Sequence, residues 1–159
     1  MATPAQLAMR DLLHKVEDVL DPQEQEERLL YAMPRAKEWM NAQLSELATD
    51  GFYENAPSPE QLADDLFYSF LSGDPKISEW VPHPMRPHEH GVWELRTADL
   101  RFFGWFWRKG IFIISAVDQK NRCEQLDLYA GYRNQCLYDR EGLDLDPPPF
   151  VNGDLENVL

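Results

Sequence analysis

The sequence predicts an α+β fold: an αα-hairpin packed on a small antiparallel β-sheet, with an added N-terminal helix and a C-terminal helix. Three observations carry this. Between Val92 and Val117, three runs rich in β-branched and aromatic residues are separated only by Ala98-Asp99 and by Lys109-Gly110, a spacing that implies tight hairpins. Upstream, two stretches repeat apolar residues at helical spacing, each opened by a proline suited to a first helical turn. Downstream, Leu126, Tyr129, Ala130, Arg133 and Leu137 fall on one helical face.

Taken in order, residues 5 to 20 carry Leu7, Leu12, Leu13, Val16, Val19 and Leu20 at helical spacing, and Pro22 ends the run. An amphipathic helix is expected there, followed by a linker, so that residues 1–28 form an N-terminal segment. Pro34 opens a second helix through about Ala48, with Trp39, Leu44 and Leu47 inward, and Gly51 with the Asn55 to Pro59 cluster breaks it. Ser58, followed by Pro59 and Gln61, starts a third helix whose buried stripe is Leu62, Leu66, Phe67, Phe70 and Leu71. From Gly73 to Gly91, Pro75, Pro82, Pro84 and Pro87 deny the chain a regular ladder, so a turn-rich connector is expected. After the sheet, the capping-box spacing of Asn121 and Glu124 starts a helix to about Asp139. These elements place the body of the domain at 29–140. The tail at 141–159, acidic and carrying Asp146-Pro147-Pro148-Pro149, is expected to be extended or partly disordered.

The chain has 159 residues, 43% of them hydrophobic, enough to fill one core. No run approaches the eighteen or so apolar residues of a membrane helix, and the N-terminus lacks a secretory pattern, so a cytoplasmic protein without membrane partners is expected. Two cysteines, Cys123 and Cys136, would lie too far apart along a helix to bridge each other. The net charge of −13 opposes non-specific attraction to nucleic acid. It is unevenly spread: from Arg96 to Arg122 six basic residues face two acidic ones, a local +4 that leaves −17 for the remainder. Such an island either binds an anion or is neutralised by carboxylates folded over it.

Two-residue turns set a register in which Arg96 lies opposite Arg101, and Arg101 opposite Asp118. Alternation then puts Trp93, Leu95, Phe102, Phe106, Ile113 and Val117 on one face, with Gly104 leaving room beside Trp93. The other face holds Glu94, Arg96, Arg101 and Asp118 at one end and Phe103, Trp105, Trp107, Phe112 and Ile114 toward the other. Two arginines directly opposite repel unless compensated. Either Glu94 and Asp118 do this as a structural ion-pair cluster, or the pair is a phosphate site, which the guanidinium fork suits. The aromatic row fits core burial beneath the last helix better than base stacking.

Val92-Trp93-Glu94-Leu95-Arg96, then Leu100-Arg101-Phe102-Phe103, then Gly110-Ile111-Phe112-Ile113-Ile114 resemble, in that order, the strand signatures of the RelE/ParE superfamily of bacterial toxins. The resemblance spans about Leu29 to Asp139. It implies a RelE-like fold and a member of a toxin-antitoxin system, with a cognate antitoxin and the ribosome and its mRNA as partners. In ribosome-dependent members the toxin is an endoribonuclease that helps the ribose 2′-hydroxyl attack the adjacent phosphate, whereas ParE-type relatives poison DNA gyrase. By resemblance, Arg96, Arg101 and Lys120 are the catalytic candidates, with Arg108, Lys109 and Arg122 as nucleic-acid contacts. No cofactor is implied.

The chain departs from the family in three ways. Asp118-Gln119-Lys120 stands where a lysine pair is common, the chain is long and acidic, and segments are added at both ends. These favour an alternative of another class: a catalytically inactive RelE-like interaction protein, or an acidic nucleic-acid mimic that presents carboxylates to a basic partner. His83, His88 and His90 with Glu89 raise a zinc reading, but they lack the spacing of known sites and no metal is expected. The first helix either packs on the domain or serves self-association, so a homo-oligomer is an open expectation.

Overall fold

A computed structural model describes residues 1–48, 56–73 and 81–159. Gly51, Asn55 and Pro75, expected as helix and ladder breakers, lie outside the described residues. In chain order the elements are α1 (Pro4–Met9), β1 (His14–Lys15), β2 (Leu29–Ala32), α2 (Pro34–Gln43) with a 3-10 turn at Leu44–Glu46, and α3 (Pro59–Ser72). They continue with β3 (His83–Pro84), a 3-10 turn at His88–His90, β4 (Trp93–Arg96), β5 (Leu100–Arg108), β6 (Ile111–Gln119), α4 (Lys120–Gln125), α5 (Tyr129–Gly142) and α6 (Leu155–Val158).

The fold is α+β, but its sheet is wider than the sequence suggested. Six strands among the described residues run in the order β1-β2-β6-β5-β4-β3. The three central strands are those expected, and their register is the expected one: Arg96 pairs with Arg101, and Arg101 with Asp118. β2 was not anticipated; it lies parallel to β6, with Leu30 beside Phe112, which makes the sheet mixed rather than antiparallel. β3 was not anticipated either, because Pro84 reads as a breaker. At an outer strand its missing N–H costs no ladder bond, and it pairs with Trp93.

Each face of the sheet carries its own core. Leu30, Trp93, Leu95, Phe102, Phe106, Phe112, Ile114 and Val117 pack with Leu66, Phe67, Phe70 and Leu71 of α3 and Ala36 of α2. On the opposite face Tyr31, Phe103, Trp105, Trp107, Ile113 and Ala116 pack with Leu7, Leu13, Cys123 and Cys136. Phe112, Ile113 and Ile114 therefore face the reverse of what simple alternation predicts. The cause is a bulge: Phe103 pairs with Ala116 but Gly104 pairs with Ile114, so Ser115 is an extra residue and all side chains before it change sides. The backbones crowd there, and a Cβ on Gly104 would sit 2.0 Å from the Ile113 carbonyl oxygen.

The helix expected over 5 to 20 is a single short α1. The chain turns at Asp11, φ 57°, with the Leu12 N–H donating to the Leu7 carbonyl, and Lys15 then pairs with Tyr31. The turn divides one apolar run between two cores: Leu7 and Leu13 join the second, whereas Val16, Val19 and Leu20 pack against the first. The expected C-terminal helix is likewise two, α4 and α5, separated at Asp127, φ 53°, and Gln119 rather than Asn121 occupies the N-cap position.

The tail is an ordered part of the molecule. Ala2 and Leu145 form a parallel bridge, the Val151 N–H donates to the Phe106 carbonyl, and the Gly110 N–H donates to the Val158 carbonyl. Val158 is fully buried in the first core. Among the described residues no helix is long and apolar enough to cross a membrane.

Candidate anion-binding cleft

The pleat of β4 decides what its end exposes. Trp93 and Leu95 point into the first core, so Glu94 and Arg96 point to the other face, where α5 crosses the sheet. β3 sets His83 directly opposite Glu94. Thr97 turns the chain into β5: its hydroxyl accepts from the Leu100 N–H at 3.0 Å, and its own N–H donates to the Leu100 carbonyl at 3.1 Å. α5 contributes Tyr129, Ala130 and Arg133, spaced so that they share one helical face. Arg133 ties this helix to the connector by donating from Nη1 to the Arg86 carbonyl at 2.8 Å.

These pieces border an open, shallow cleft of about 410 Å³ lined by Arg86, Glu94, Arg96, Tyr129 and Arg133, with Pro84 and Met85 at its side. Three arginines and one carboxylate thus line the cleft, and of the three Arg96 is the one paired with Glu94. Arg96 forms an ion pair with Glu94, whose side chain is buried while that of Arg96 remains 42% exposed. The local balance is positive in a chain of net charge −13, which raises the anion's potential energy gain inside the cleft without drawing it from a distance.

The open pair of arginines expected at this spot is not formed. Arg101 is only 8% exposed, and its Nη1 donates to the Thr97 carbonyl at 2.8 Å and the Leu100 carbonyl at 2.9 Å. Its position on the central strand, between β4 and β6, puts it beneath the covering helices, so it supports the cleft from behind. Two buried guanidinium nitrogens, Nε of Arg101 and Nε of Arg133, have no acceptor among the described residues.

The neutral groups are also conditioned by this setting. Burial pushes the Tyr129 hydroxyl up, against the opposing pull of the Arg101 charge, so it keeps its proton at neutral pH. Burial pushes His83 down, and the Arg96 charge adds to this, which leaves a neutral imidazole at pH 7. Cys123 is pushed up to about 11 by burial, with the Asp118 charge adding to it, so it is not a thiolate nucleophile.

Of the six basic residues singled out in the sequence, only Arg96 lines this cleft. Lys120 begins α4, where its N–H donates to the Asp99 carbonyl at 2.9 Å, and it does not reach the lining. Arg122 pairs with Asp118, Nε to Oδ1 at 3.2 Å. Arg108 holds the tail: it lies over the Trp107 ring at 4.1 Å and donates to the carbonyls of Asp146, Pro147 and Pro148. Together with the exposed Lys109 it sits at the far end of β5, about 25 Å from Arg101 at strand rise.

Sequence reasoning missed Arg86, Tyr129 and Arg133 as site residues, took Glu94 only as a neutraliser, and considered His83 only for metal. One signal was present: Arg133 interrupts an otherwise apolar helical stripe. Among the described residues no group of three or more His, Cys, Asp or Glu is placed to hold a metal ion. No family model matches the chain, and no curated protein or solved structure matches it either.

Proposed function

We propose that the chain is a RelE/ParE-like toxin whose cleft receives an RNA phosphodiester and promotes attack by the neighbouring 2′-hydroxyl. The carrying observation is that Arg86, Arg96 and Arg133 line one cleft with a single carboxylate, Glu94, and a single tyrosine, Tyr129, in a chain that is otherwise acidic. The succession of two helices, α2 and α3, and three antiparallel strands, β4, β5 and β6, supports the reading.

In this reading the guanidiniums hold the non-bridging oxygens and offset the charge that grows on phosphorus's oxygens in the transition state. Glu94, or the neutral His83 beside it, takes the 2′-hydroxyl proton as the 2′-oxygen bonds to phosphorus. Tyr129 gives its proton to the departing 5′-oxygen as that bond breaks. The products are a 2′,3′-cyclic phosphate and a free 5′-hydroxyl, and no co-reactant is consumed.

A second reading has its own support. Arg101 is sealed and Arg96 is closed on Glu94, as in an inactive RelE-like scaffold that presents its acidic surface to a basic partner. Induced expression in a bacterium, with transcript ends mapped, separates the two. Growth arrest with cleaved mRNA that is lost in Arg133→Ala supports the toxin. Harmless expression and intact transcripts, at confirmed protein levels, reject it in favour of the scaffold.

A further inference from the structure

We propose that a second cleft, between α2 and the corner formed by β6, α4 and α5, is a binding site for an unstacked nucleobase. It measures about 400 Å³ and is lined by Arg35, Trp39, Gln43, Gln119, Arg122 and Tyr132 among others.

Its polar groups are braced from beneath. Arg35 donates from Nη2 to Asp139 Oδ2 at 2.7 Å, and the same buried carboxylate accepts from Ser115 Oγ at 2.5 Å and Gln135 Nε2 at 2.9 Å. Arg122 is held by Nε to Asp118, which also accepts from the Tyr132 hydroxyl and, at 2.7 Å, from the Gln119 N–H. Both arginine side chains stay about half exposed, at 53% and 55%. The Nη nitrogens of Arg122 make no hydrogen bond within the described residues. Donor groups are therefore fixed at the wall with capacity to spare.

The charge count decides the ligand class. Each arginine is paired with a carboxylate of its own, Arg35 with Asp139 and Arg122 with Asp118, whereas the first cleft is lined by three arginines and one carboxylate. A phosphate gains little here, whereas a neutral planar heterocycle gains much. The partly buried Trp39 indole and the guanidinium planes offer stacking surfaces. The Gln43 and Gln119 amides each present a donor and an acceptor, the pattern that base edges require.

The two clefts are neighbours. Tyr129 lines the first and Tyr132 the second, and both rings rest on Phe103, the former edge-on at 6.0 Å and the latter stacked at 4.7 Å. A base flanking the phosphate in the first cleft is within one helical turn of the second. That assignment to one strand rests on the toxin reading; base binding itself does not.

The test titrates the purified chain with AMP, GMP, CMP and UMP, and separately with ribose 5-phosphate and inorganic phosphate, following the Trp39 indole N–H resonance by NMR. At least one nucleotide is expected to shift that resonance to saturation, with the two base-free probes inert. Trp39→Ala, whose affinity is read by isothermal titration calorimetry, should weaken binding by about tenfold or more, the range of one lost base stack. Gln119→Ala, which removes no core contact, serves if Trp39→Ala does not fold, and should weaken binding and alter the preference among bases. The proposal is overturned if no nucleotide moves Trp39, if the base-free probes act equally, or if neither Trp39→Ala nor Gln119→Ala weakens binding. Because RNA cleavage is not measured, failure here leaves the toxin reading standing, and failure of that reading leaves nucleotide binding intact.

Discussion

Arg101→Ala separates a supporting arginine from a substrate-holding one. The side chain is 8% exposed, and its Nη1 makes two bonds of 2.8 and 2.9 Å to the carbonyls of Thr97 and Leu100, at the turn that joins β4 to β5. A hydrogen bond to a charged group contributes about 1.5–3 kcal/mol. Two are lost, the carbonyls lose their donor in a buried corner, and some of this is offset because a guanidinium with an unpartnered Nε is no longer buried. The net expectation is a loss of about 3 kcal/mol, which at this chain length lowers Tm by about 6–12 °C. Arg96→Ala leaves the buried Glu94 carboxylate without its ion-pair partner and should cost about 1–3 kcal/mol. Urea melts followed by tryptophan fluorescence and by far-UV circular dichroism measure both variants. If Arg101→Ala stays within about 0.5 kcal/mol of the parent chain and yet abolishes RNA cleavage, the assignment of Arg101 to support is refuted.

Gly104→Ala places a Cβ against the backbone of β6 and should cost about 3 kcal/mol or more, whereas Gly131→Ala meets no atom within 4 Å in α5 and should gain about 0.5–1 kcal/mol; thermal melts of the pair check both. His83 is held below its free value of about 6.5, so the unfolded chain binds its proton first as pH falls, and stability should decline from about pH 6.5 downward. His83→Gln should flatten that part of the curve of urea midpoint against pH, and an unchanged slope would show the imidazole is not responsible. Removing residues 155–159 exposes the site of the fully buried Val158 and deletes the acceptor of the Gly110 N–H at 2.7 Å, so a loss of about 2–4 kcal/mol is expected, read as a lower urea midpoint and faster proteolysis.

The sheet's centre was legible because its information is local. Two-residue turns at Ala98-Asp99 and Lys109-Gly110 leave little choice of register, and the pairing of Arg96 with Arg101 follows. The bulge at Ser115 was not legible, since neither glycine nor proline marks it and the crowding at Gly104 arises only once β6 is in place. β2 is four apolar residues whose partner lies some eighty positions later, a pairing that no window on the chain contains. The apolar spacing from Leu7 to Leu20 fits a helix, yet it serves two cores because Asp11 turns the backbone between them. At the cleft, Arg96 was visible because it belongs to a strand. Arg86 and Arg133 were not, as they meet only where a proline-rich connector and a helix cross. Burial of Arg101 likewise depends on where α4 and α5 lie, which the strand pattern does not specify.

The parallel pairing of β2 with β6 bears on the order in which a ribosome can finish this protein. Leu30 and Ala32 leave the exit tunnel early, but the strand that shields them arrives only with residues 111 to 114. Until then α2 and α3 have no β5 or β6 aromatics to close upon, and β2 presents a free edge to any other extended chain. A transcript cut short before residue 111 would therefore yield a sticky fragment, and cells expressing the whole chain should accumulate more of it when chaperones that hold nascent segments are abundant.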